Sequence, residues 1–410
     1  MGRPKSPLAI ILITVFIDLV GFGMVIPLLP IYAERFHATP FEIGFLVAIY
    51  SAIQFFAGPI LGQISDRIGR RPVLLTSLLG TAVGFFLMGS ARTLWMLFAA
   101  RALAGATGGN ISTAQAYIAD ITPPEKRSAG MGLIGAAFGI GFIVGPAIGA
   151  LMSKISVAAP FYFCGFLALL NATSLFLFLP ESLSPEKRRS PEKRLSRAEV
   201  WHQVGGPALG KVLAAYFMAI AGFSVMTTVF ALFTQRHFGF DQEKNGYIFA
   251  AVGLVGAIIQ GGMIRRLAPR FGERSLAIAG AAIMAIGFAL MPANQGLAFF
   301  FFATGLVSIG QSLVTPTLNG LASRSAGPRW QGSVLSLVQS AGSLARTAGP
   351  ALAGALLAFD AHRPNQLYGR TALWVAAGLM VVAMALATAI RPAESVDTSE
   401  RADAERVRIG

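Results

Sequence analysis

Residues 62–71 read Gly-Gln-Ile-Ser-Asp-Arg-Ile-Gly-Arg-Arg and lie between two long apolar runs, 42–65 and 72–91. About 20 apolar residues are enough for a helix to cross a bilayer, so both runs are predicted to be membrane helices. Because charges at this density cannot lie in hydrocarbon, the stretch is predicted to be a turn at the membrane surface. Arg and Lys concentrate in cytoplasmic loops, so this turn is predicted to face the cytoplasm and sets the direction of the other segments.

The composition indicates an integral membrane protein. Of 410 residues, 54% are hydrophobic and 13% are charged, about half the charged share of a soluble chain. The net charge of +14 is spread over loops, with no separate basic domain, so no nucleic-acid partner is predicted. The four histidines and the single cysteine have no partner at metal-ligand spacing, so no metal site is predicted. An enzyme is not expected, because no nucleophile, base and orienting group occur together at recognisable spacing.

Twelve apolar runs are predicted to be transmembrane helices, because open strands cannot span lipid. The runs are 8–32, 42–65, 72–91, 93–118, 129–153, 159–180, 208–234, 244–264, 275–292, 296–322, 332–358 and 369–390. If both termini are cytoplasmic, the cytoplasmic segments hold more than three times as many Lys and Arg as the opposite side. This asymmetry predicts a multi-pass protein of the inner (plasma) membrane with both termini inside.

The chain also repeats itself. Gly-Pro at 145–146 recurs at 349–350, and Gly-Arg-Arg at 69–71 recurs as Gly-Glu-Arg at 272–274, at nearly the same offset. We therefore predict an all-α integral membrane fold with two six-helix bundles related by a parallel repeat. The predicted units are an N-terminal bundle (1–180), a basic cytoplasmic linker (181–207), a C-terminal bundle (208–391) and a cytoplasmic tail (392–410).

Four segments carry a resemblance to a known family. They are the turn at 62–71, the fourth run from Arg101 to Asp120, the glycine-rich fifth run, and the eleventh run from 331 to 350. Together they resemble the major facilitator superfamily, its drug:proton antiporter branch, and within that branch the tetracycline-efflux type of exporter. The resemblance covers nearly the whole chain. It implies a monomeric exporter of small molecules that works by alternating access, with the proton as coupling ion and no other cofactor.

The glycine motif of the fifth run has both a packing and a functional interpretation. Glycines four residues apart make a smooth face that lets another helix approach closely, and the proline removes a backbone hydrogen bond. The resemblance implies that the motif marks an antiporter, whereas the residues alone fit a purely structural role. The motif comprises Gly135, Gly139, Gly145, Pro146 and Gly149, with Gly349 and Pro350 in the eleventh run.

The charged turn has two interpretations as well. The resemblance implies a conformational latch that holds the outward-facing state by joining helix ends that separate when the inside opens. The alternative is solvated surface charge, where ion pairs contribute roughly 0 to 1 kcal/mol. The candidate latch residues are Gly62, Asp66, Arg67, Gly69, Arg70, Arg71 and Asp120.

Three charges lie deep in predicted helices: Asp18, Arg101 and Arg346. Intramembrane charges are costly and indicate function. Asp18 is the candidate proton-coupling residue, although it could instead cap a broken backbone near Gly21 and Gly23. Arg101 could serve as counter-charge to Asp18 or as a substrate anchor, and Arg346 could pair with carbonyls. The predicted substrate-cavity residues are Asp18, Gln54, Arg101, Asn110, Gln311, Asn319, Gln339 and Arg346.

The predicted function is proton-coupled export of small amphiphilic compounds, as in multidrug or tetracycline-like efflux. Tetracycline exporters also carry acids in helices 3 and 9 and a histidine in helix 8, and this chain has none of these, which puts tetracycline itself in doubt. The three deep charges sum to +1, which argues weakly against a strongly cationic substrate. The alternatives are a transporter of a metabolite such as a sugar or amino acid, or a lipid scramblase or membrane sensor on the same scaffold.

Overall fold

The structure is a computed structural model that describes residues 7–123, 127–183, 197–293, 296–325, 330–363 and 367–390. Every long element in these ranges is a helix, so the predicted all-α class is confirmed. The helices are α1 (Pro7–Glu34), α2 (Pro40–Ile68), α3 (Arg70–Gly89), α4 (Leu94–Ala106), α5 (Asn110–Ile121), α6 (Arg127–Ser153), α7 (Ala159–Phe178), α8 (Arg197–Val204), α9 (Pro207–Phe238), α10 (Gln242–Ile258), α11 (Ile264–Phe271), α12 (Glu273–Leu290), α13 (Leu297–Arg324), α14 (Gln331–Asp360) and α15 (Arg370–Thr388). A π-helical turn, Ile259–Met263, joins α10 to α11. Most of the predicted linker (184–196) and the whole predicted tail (392–410) lie outside the described residues.

Nine helices in the described ranges are long and apolar enough to cross a membrane. They are α1, α2, α3, α7, α9, α10 with its π-helical turn, α12, α13 and α15. The other three predicted spans correspond to α6, α14 and the pair α4 and α5. A single continuous helix over 93–118 was wrong, because the chain leaves the helix at Thr107–Gly109 and restarts at Asn110.

The whole stretch 62–71 was predicted to be a turn, but the turn in the structure is much shorter. Helix α2 continues to Ile68 and α3 begins at Arg70, so Gly69 alone makes the turn. Its φ of 112° lies in a region that residues with a Cβ rarely adopt. Gly272, between α11 and α12, has a φ of 78° and a similar ψ. The repeat seen in the sequence therefore gives the same glycine corner twice.

We call α1–α7 the N-terminal half and α9–α15 the C-terminal half. We call the end of the helices at the α1–α2, α6–α7, α9–α10 and α14–α15 connections the external-loop face, after the predicted topology. The opposite end, with Gly69 and Gly272, is the internal-loop face.

The two halves touch through glycines near the external-loop face. A Cβ on Gly44 of α2 would lie 2.4 Å from the Pro350 carbonyl oxygen of α14. A Cβ on Gly246 of α10 would lie 2.7 Å from the Pro146 carbonyl oxygen of α6. These two contacts, related by the repeat, let the helix backbones of opposite halves meet directly.

Polar contacts add to this closure at the same face. Lys154 and Glu243 form an ion pair at 2.9 Å, and Arg236 and Glu34 form another at 3.5 Å. The Gln242 amide donates to the Leu28 carbonyl oxygen at 3.3 Å. Each of these contacts joins the N-terminal half to the C-terminal half.

Four glycines further toward the internal-loop face have open surroundings. Among the described residues, a Cβ added to Gly58 of α2, Gly139 of α6, or Gly261 and Gly262 of the π-helical turn would meet no atom within 4 Å. Gly58 and Gly139 lie on about the same faces of α2 and α6 as Gly44 and Pro146, so these faces contact the opposite half near one end and are open further along. The molecule is closed at the external-loop face.

We predict that Gly69→Ala lowers the thermal unfolding midpoint of the purified protein in detergent. A Cβ at a φ of 112° costs about 1–3 kcal/mol of backbone strain. Gly58→Ala is the matched control, because Gly58 is in the same helix α2 with open surroundings and Ala favours a helix over Gly. Equal midpoints for Gly69→Ala and the wild type would mean that the corner does not require glycine.

Candidate functional site

Asp18 lies near the middle of α1, and its carboxylate accepts a hydrogen bond from the Asn110 side-chain amide at 2.9 Å. Asn110 is the first residue of α5, so the break between α4 and α5 positions this amide beside α1. Helix α1 is continuous through Gly21 and Gly23. The alternative in which Asp18 caps a broken helix is therefore wrong.

A small cavity of about 10 Å³ lies on one side of Asp18. It is enclosed by α1, α3 and α7, and its wall includes Thr81, Cys164 and Asn171. A volume of about 10 Å³ is close to the smallest that can hold one water molecule. Most of the cavity wall is apolar, and Asp18, Thr81 and Asn171 supply its polar groups.

Arg101 of α4 is buried, and its guanidinium lies 4.5 Å from the centre of the Tyr50 ring. One nitrogen donates to the Val47 carbonyl oxygen at 3.4 Å, and the Nε has no hydrogen-bond partner among the described residues. Arg101 forms its contacts with α2 and makes no ion pair with Asp18 in the described part of the chain. Of its two predicted roles, the geometry favours the substrate anchor.

Arg346 of α14 donates to the Ser343 hydroxyl at 3.1 Å, where pairing with carbonyls was predicted. A Cβ on Gly342 would lie 3.1 Å from the Arg346 guanidinium and 3.2 Å from the Tyr216 ring of α9. The missing side chain at Gly342 thus leaves room for the guanidinium beside an aromatic ring. Arg101 is buried and Arg346 is half-buried, and each has an aromatic neighbour and no carboxylate within ion-pair distance among the described residues.

The other predicted cavity residues have different surroundings. Gln54 donates to the Gly108 carbonyl oxygen at 2.9 Å and to the Tyr50 hydroxyl at 3.2 Å, so it ties α2 to the break after α4. Gln311 donates to Thr315 on its own helix. Asn319 is half-buried and Gln339 is exposed. The described contacts bring Asp18 together with Asn110, and Arg101 together with Tyr50 and Gln54, but do not join these groups to Gln311, Asn319 or Gln339.

The internal-loop charges form a compact cluster around Arg70. Its guanidinium contacts Asp66 at 2.5 Å and Asp120 at 3.0 Å, and also donates to the Ser65 hydroxyl at 2.7 Å. The Ser65 hydroxyl in turn donates to the Gly62 carbonyl oxygen. The cluster joins the internal-loop ends of α2, α3 and α5. Arg70 is only 5% exposed, so the interpretation as solvated surface charge does not fit it.

The predicted set missed the most connected acid of this cluster, Glu181. Its carboxylate accepts the backbone N–H of Arg70 at 2.9 Å and of Arg71 at 3.1 Å, at the start of α3. A carboxylate is stabilised at a helix N-terminus by the free N–H groups there. Ser182 adds a hydrogen bond to Asp120 at 3.0 Å. Glu181 was assigned to the linker. Its position was a usable signal, because it is an acid directly after a span that ends at the same membrane face as the charged turn.

The remaining latch candidates divide between the cluster and solvent. Arg71 donates to the Phe176 carbonyl oxygen, and its guanidinium lies 5.5 Å from the Phe176 ring centre. Arg67 is exposed. Arg71 thus ties the start of α3 to the end of α7, while Arg67 is a suitable control position.

The glycine–proline motif acts in helix packing. A Cβ on Gly145 would lie 2.4 Å from the Val20 carbonyl oxygen of α1, and a Cβ on Gly149 would lie 2.7 Å from Met24. In the C-terminal half, a Cβ on Gly349 would lie 2.7 Å from the Ala221 carbonyl oxygen of α9. Gly139 has open surroundings, and those of Gly135 lie outside the described residues. Each Gly-Pro pair therefore uses glycine within its half and the proline carbonyl against the opposite half.

The external-loop face holds residues that the sequence prediction did not select. Besides its ion pair with Glu34, the Arg236 guanidinium lies 3.7 Å from the centre of the Tyr368 ring. Burial raises the pKa of the Tyr368 hydroxyl to about 12, so it stays protonated. Single charges at loop ends carry little sequence signal, because their partners come from the other half of the chain.

Comparison with known proteins identifies the family. A model described as Major Facilitator Superfamily matches residues 11–350 and, again, 263–409. The chain belongs to this superfamily. Its relatives include tetracycline resistance protein, class C, of Escherichia coli, which is 34% identical over 374 residues, covering 89% of this chain and 93% of that protein. Multidrug resistance protein 2 of Bacillus subtilis is 29% identical over 389 residues, covering 93% and 96%.

A solved structure shares the fold of this superfamily member. The crystal structure of the human organic anion transporter TETRAN matches with a TM-score of 0.71 at 25% identity, over 94% of this chain and 100% of that one. The predicted family is therefore confirmed, and with it the prediction of a membrane transporter rather than an enzyme.

We predict that Asp66→Asn and Asp120→Asn each slow transport several-fold at unchanged abundance in the membrane. Each substitution removes one of the two carboxylates on the buried Arg70 guanidinium and loosens the ends of α2, α3 and α5. The measurement is substrate efflux from cells, with protein quantified in isolated membranes. Arg67→Gln, at the exposed neighbour, should transport normally. Full activity in both Asp variants would remove any transport role from the cluster.

Proposed function

We propose that the protein is a proton-driven exporter of small amphiphilic compounds. The observation that carries the proposal is Asp18, the one carboxylate in the described spans that lies far from either helix end. A carboxyl group can bind and release a proton within each cycle, whereas Arg101 and Arg346 keep their charge. The similarity to tetracycline and multidrug resistance proteins supports export as the direction.

The exporter crosses the inner membrane twelve times, in two six-helix bundles with both termini in the cytoplasm. The nine apolar helices are joined by α6, by α14 and by α4 with α5 as one interrupted span. The matching glycine corners at Gly69 and Gly272 support a parallel repeat. In this topology the external-loop face is outside, and the form described above is inward-facing, ready to take substrate from the cytoplasm.

The Arg70 cluster acts in this cycle as a latch surface. In the outward-facing form the internal-loop ends of the two halves come together, and the ordered Arg70 cluster is the surface of the N-terminal half that the C-terminal half contacts. It keeps α2, α3 and α5 joined in the inward-facing form as well. The halves can thus separate without disordering the N-terminal half.

Proton entry supplies the energy for export. A pH difference of one unit provides about 1.4 kcal/mol per proton. A membrane potential of 100 mV adds about 2.3 kcal/mol per charge moved. One proton per cycle through Asp18 is therefore enough to sustain a substantial substrate gradient.

We predict that Asp18→Asn abolishes uphill export in proteoliposomes with an imposed pH difference, while downhill exchange of substrate continues. An amide cannot gain or lose the coupling proton, but it retains the hydrogen-bonding shape at the site. Asp18→Glu, which keeps a carboxyl group, is the matched control and should retain part of the uphill activity. If Asp18→Asn still concentrates substrate against its gradient, the proton-coupling proposal is wrong.

The substrate class of this exporter is an amphiphile with an anionic group. Arg101 is a buried guanidinium group of one half and Arg346 a half-buried one of the other, and neither has a carboxylate partner among the described residues. Leaving such cations uncompensated is costly, so a substrate anion between them would be strongly favoured. Similarity to a transporter named for organic anions supports the same class.

We predict that Arg101→Gln and Arg346→Gln each reduce export of an anionic amphiphilic dye about tenfold or more. A cationic dye of similar size should lose far less, because the guanidinium does not attract it. Arg92→Gln, at an exposed position on the external-loop face, is the control and should change neither dye. Equal losses for both dyes, measured as efflux rates at matched protein abundance, would contradict the anionic class.

A further inference from the structure

Polar side chains lie in the core of the N-terminal half, on α1, α3, α5 and α7. We call Thr14, Asp18, Ser77, Asn110, Thr113 and Asn171 the polar column. All of them except Asp18 are at most 2% exposed. Thr14 and Asp18 are four residues apart on α1, and Asn110 and Thr113 are three apart on α5, so each pair shares one helix face.

The column begins at a boundary in the apolar core. One apolar cluster, with Met24, Phe85 and Phe161, occupies the external-loop side, and a second, with Ile11 and Leu175, occupies the internal-loop side. Asp18, Asn110 and Asn171 lie where the two clusters meet. Thr14, Ser77 and Thr113 continue from there into the second cluster, toward the internal-loop face.

Hydrogen bonds join only part of the column. Asn110 donates to Asp18 at 2.9 Å, and the Thr14 hydroxyl donates to the side-chain Oδ1 of Asn171 at 3.1 Å. The Ser77 and Thr113 hydroxyls and the side-chain Oδ1 of Asn110 are buried without a partner among the described residues. A buried polar atom without a partner costs about 1–3 kcal/mol. Three of them along one column favour water as the ligand. The cavity of about 10 Å³ beside Asp18 is mainly apolar, but it is close to the smallest volume that holds one water molecule, and Asp18, Thr81 and Asn171 lie in its wall.

The column leads to the charged cluster at the internal-loop face. Tyr117 follows Thr113 by one helical turn on α5, is fully buried, and donates to the Pro180 carbonyl oxygen at 2.8 Å. Asp120 lies one turn further along and contacts Arg70. Polar groups therefore continue along α5 from Asn110, which contacts Asp18, to Asp120 at the internal-loop face.

The C-terminal half provides an internal comparison. The repeat that relates Gly69 to Gly272 relates Ser77 and Thr81 of α3 to Gly280 and Met284 of α12. Gly280 and Met284 pack directly against α13. At these two positions the same architecture packs without polar side chains, so the fold itself does not require Ser77 or Thr81 to be polar.

We propose that the polar column is a hydrated proton path that connects Asp18 to the internal-loop face through the N-terminal half, apart from the seam between the halves where substrate passes. This inference rests on the proposed proton coupling at Asp18. In the inward-facing form it is the release path. The O–H bond of the protonated Asp18 breaks, its proton forms a new O–H bond on water in the cavity, and Asp18 remains as a carboxylate. The excess proton then passes between waters along the hydroxyl groups to the cytoplasm.

A separate path has a consequence for coupling. Substrate that enters between the halves does not need to touch the proton or block its exit. Proton release and substrate loading can therefore overlap, and the two are linked through the position of α1 and α5 rather than by competition for one space.

The test uses the double variant Ser77→Ala/Thr113→Val in proteoliposomes. Neither hydroxyl has a protein partner among the described residues, so their removal leaves no protein group unpaired there and should not lower the unfolding midpoint. We expect unchanged substrate affinity and unchanged downhill exchange. Uphill export should fall about tenfold, with a matching slowing of hydrogen–deuterium exchange at the Asp18 carboxyl group. The infrared C=O band of that group is assigned from the difference between the wild type and Asp18→Asn.

The matched control is Thr304→Val in α13, another buried threonine, whose hydroxyl bonds only to its own helix. It should match the wild type in every measurement. The path is contradicted if the double variant keeps wild-type uphill export and exchange at Asp18. It is also contradicted if export and downhill exchange fall together with the unfolding midpoint, since that result indicates a packing role. Uphill export that survives in Asp18→Asn contradicts the proton coupling itself, so the two failures are distinguishable.

Discussion

Close approach of helix backbones at glycine is the constraint on which this structure depends. Within a bilayer, apolar side chains gain little by leaving lipid for protein, so helices associate through tight packing and polar contacts. The missing side chain at Gly145 lets α6 lie against the backbone of α1, and Gly349 does the same for α14 and α9. The opposite faces of α6 and α14 meet Gly246 and Gly44 across the two halves. Two helices thus carry both the cohesion of each half and the contact between halves.

The two halves share this geometry but not its chemistry. The corner glycines at 69 and 272 have related backbone angles, yet Asp66 of the first half corresponds to Pro269 of the second. The deep carboxylate, the broken span and the polar column all belong to the N-terminal half. The C-terminal half contributes Arg346, and its buried Ser312 and Thr317 hydroxyls donate to carbonyl oxygens of their own helix. The two copies of the scaffold therefore carry different buried groups on related backbone geometry.

Much of this architecture was predictable from the sequence, because long apolar runs and charged corners follow directly from the cost of burying charge in lipid. Asp18, Arg101 and Arg346 were selected on the same ground. The break at Thr107–Gly109 was not predicted, since apolar residues flank it and a glycine pair is tolerated in membrane helices. Its consequence, the hydrogen bond from Asn110 to Asp18, was missed with it, as Asn110 was expected to contact substrate. Glu181 and the ion pairs between halves depend on distant partners, which a single sequence does not reveal.

The closed external-loop face has an energetic consequence. Its ion pairs are partly exposed, with side-chain exposures of 53% and 31% for Lys154 and Glu243 and of 34% and 27% for Arg236 and Glu34. Pairs of this kind contribute roughly 0–1 kcal/mol each. These ion pairs therefore contribute only a small part of the free energy that separates the closed form from its alternative. A single binding event worth a few kcal/mol can outweigh a contribution of this size, whereas a deeply buried ionic seal would be more costly to break in each transport cycle.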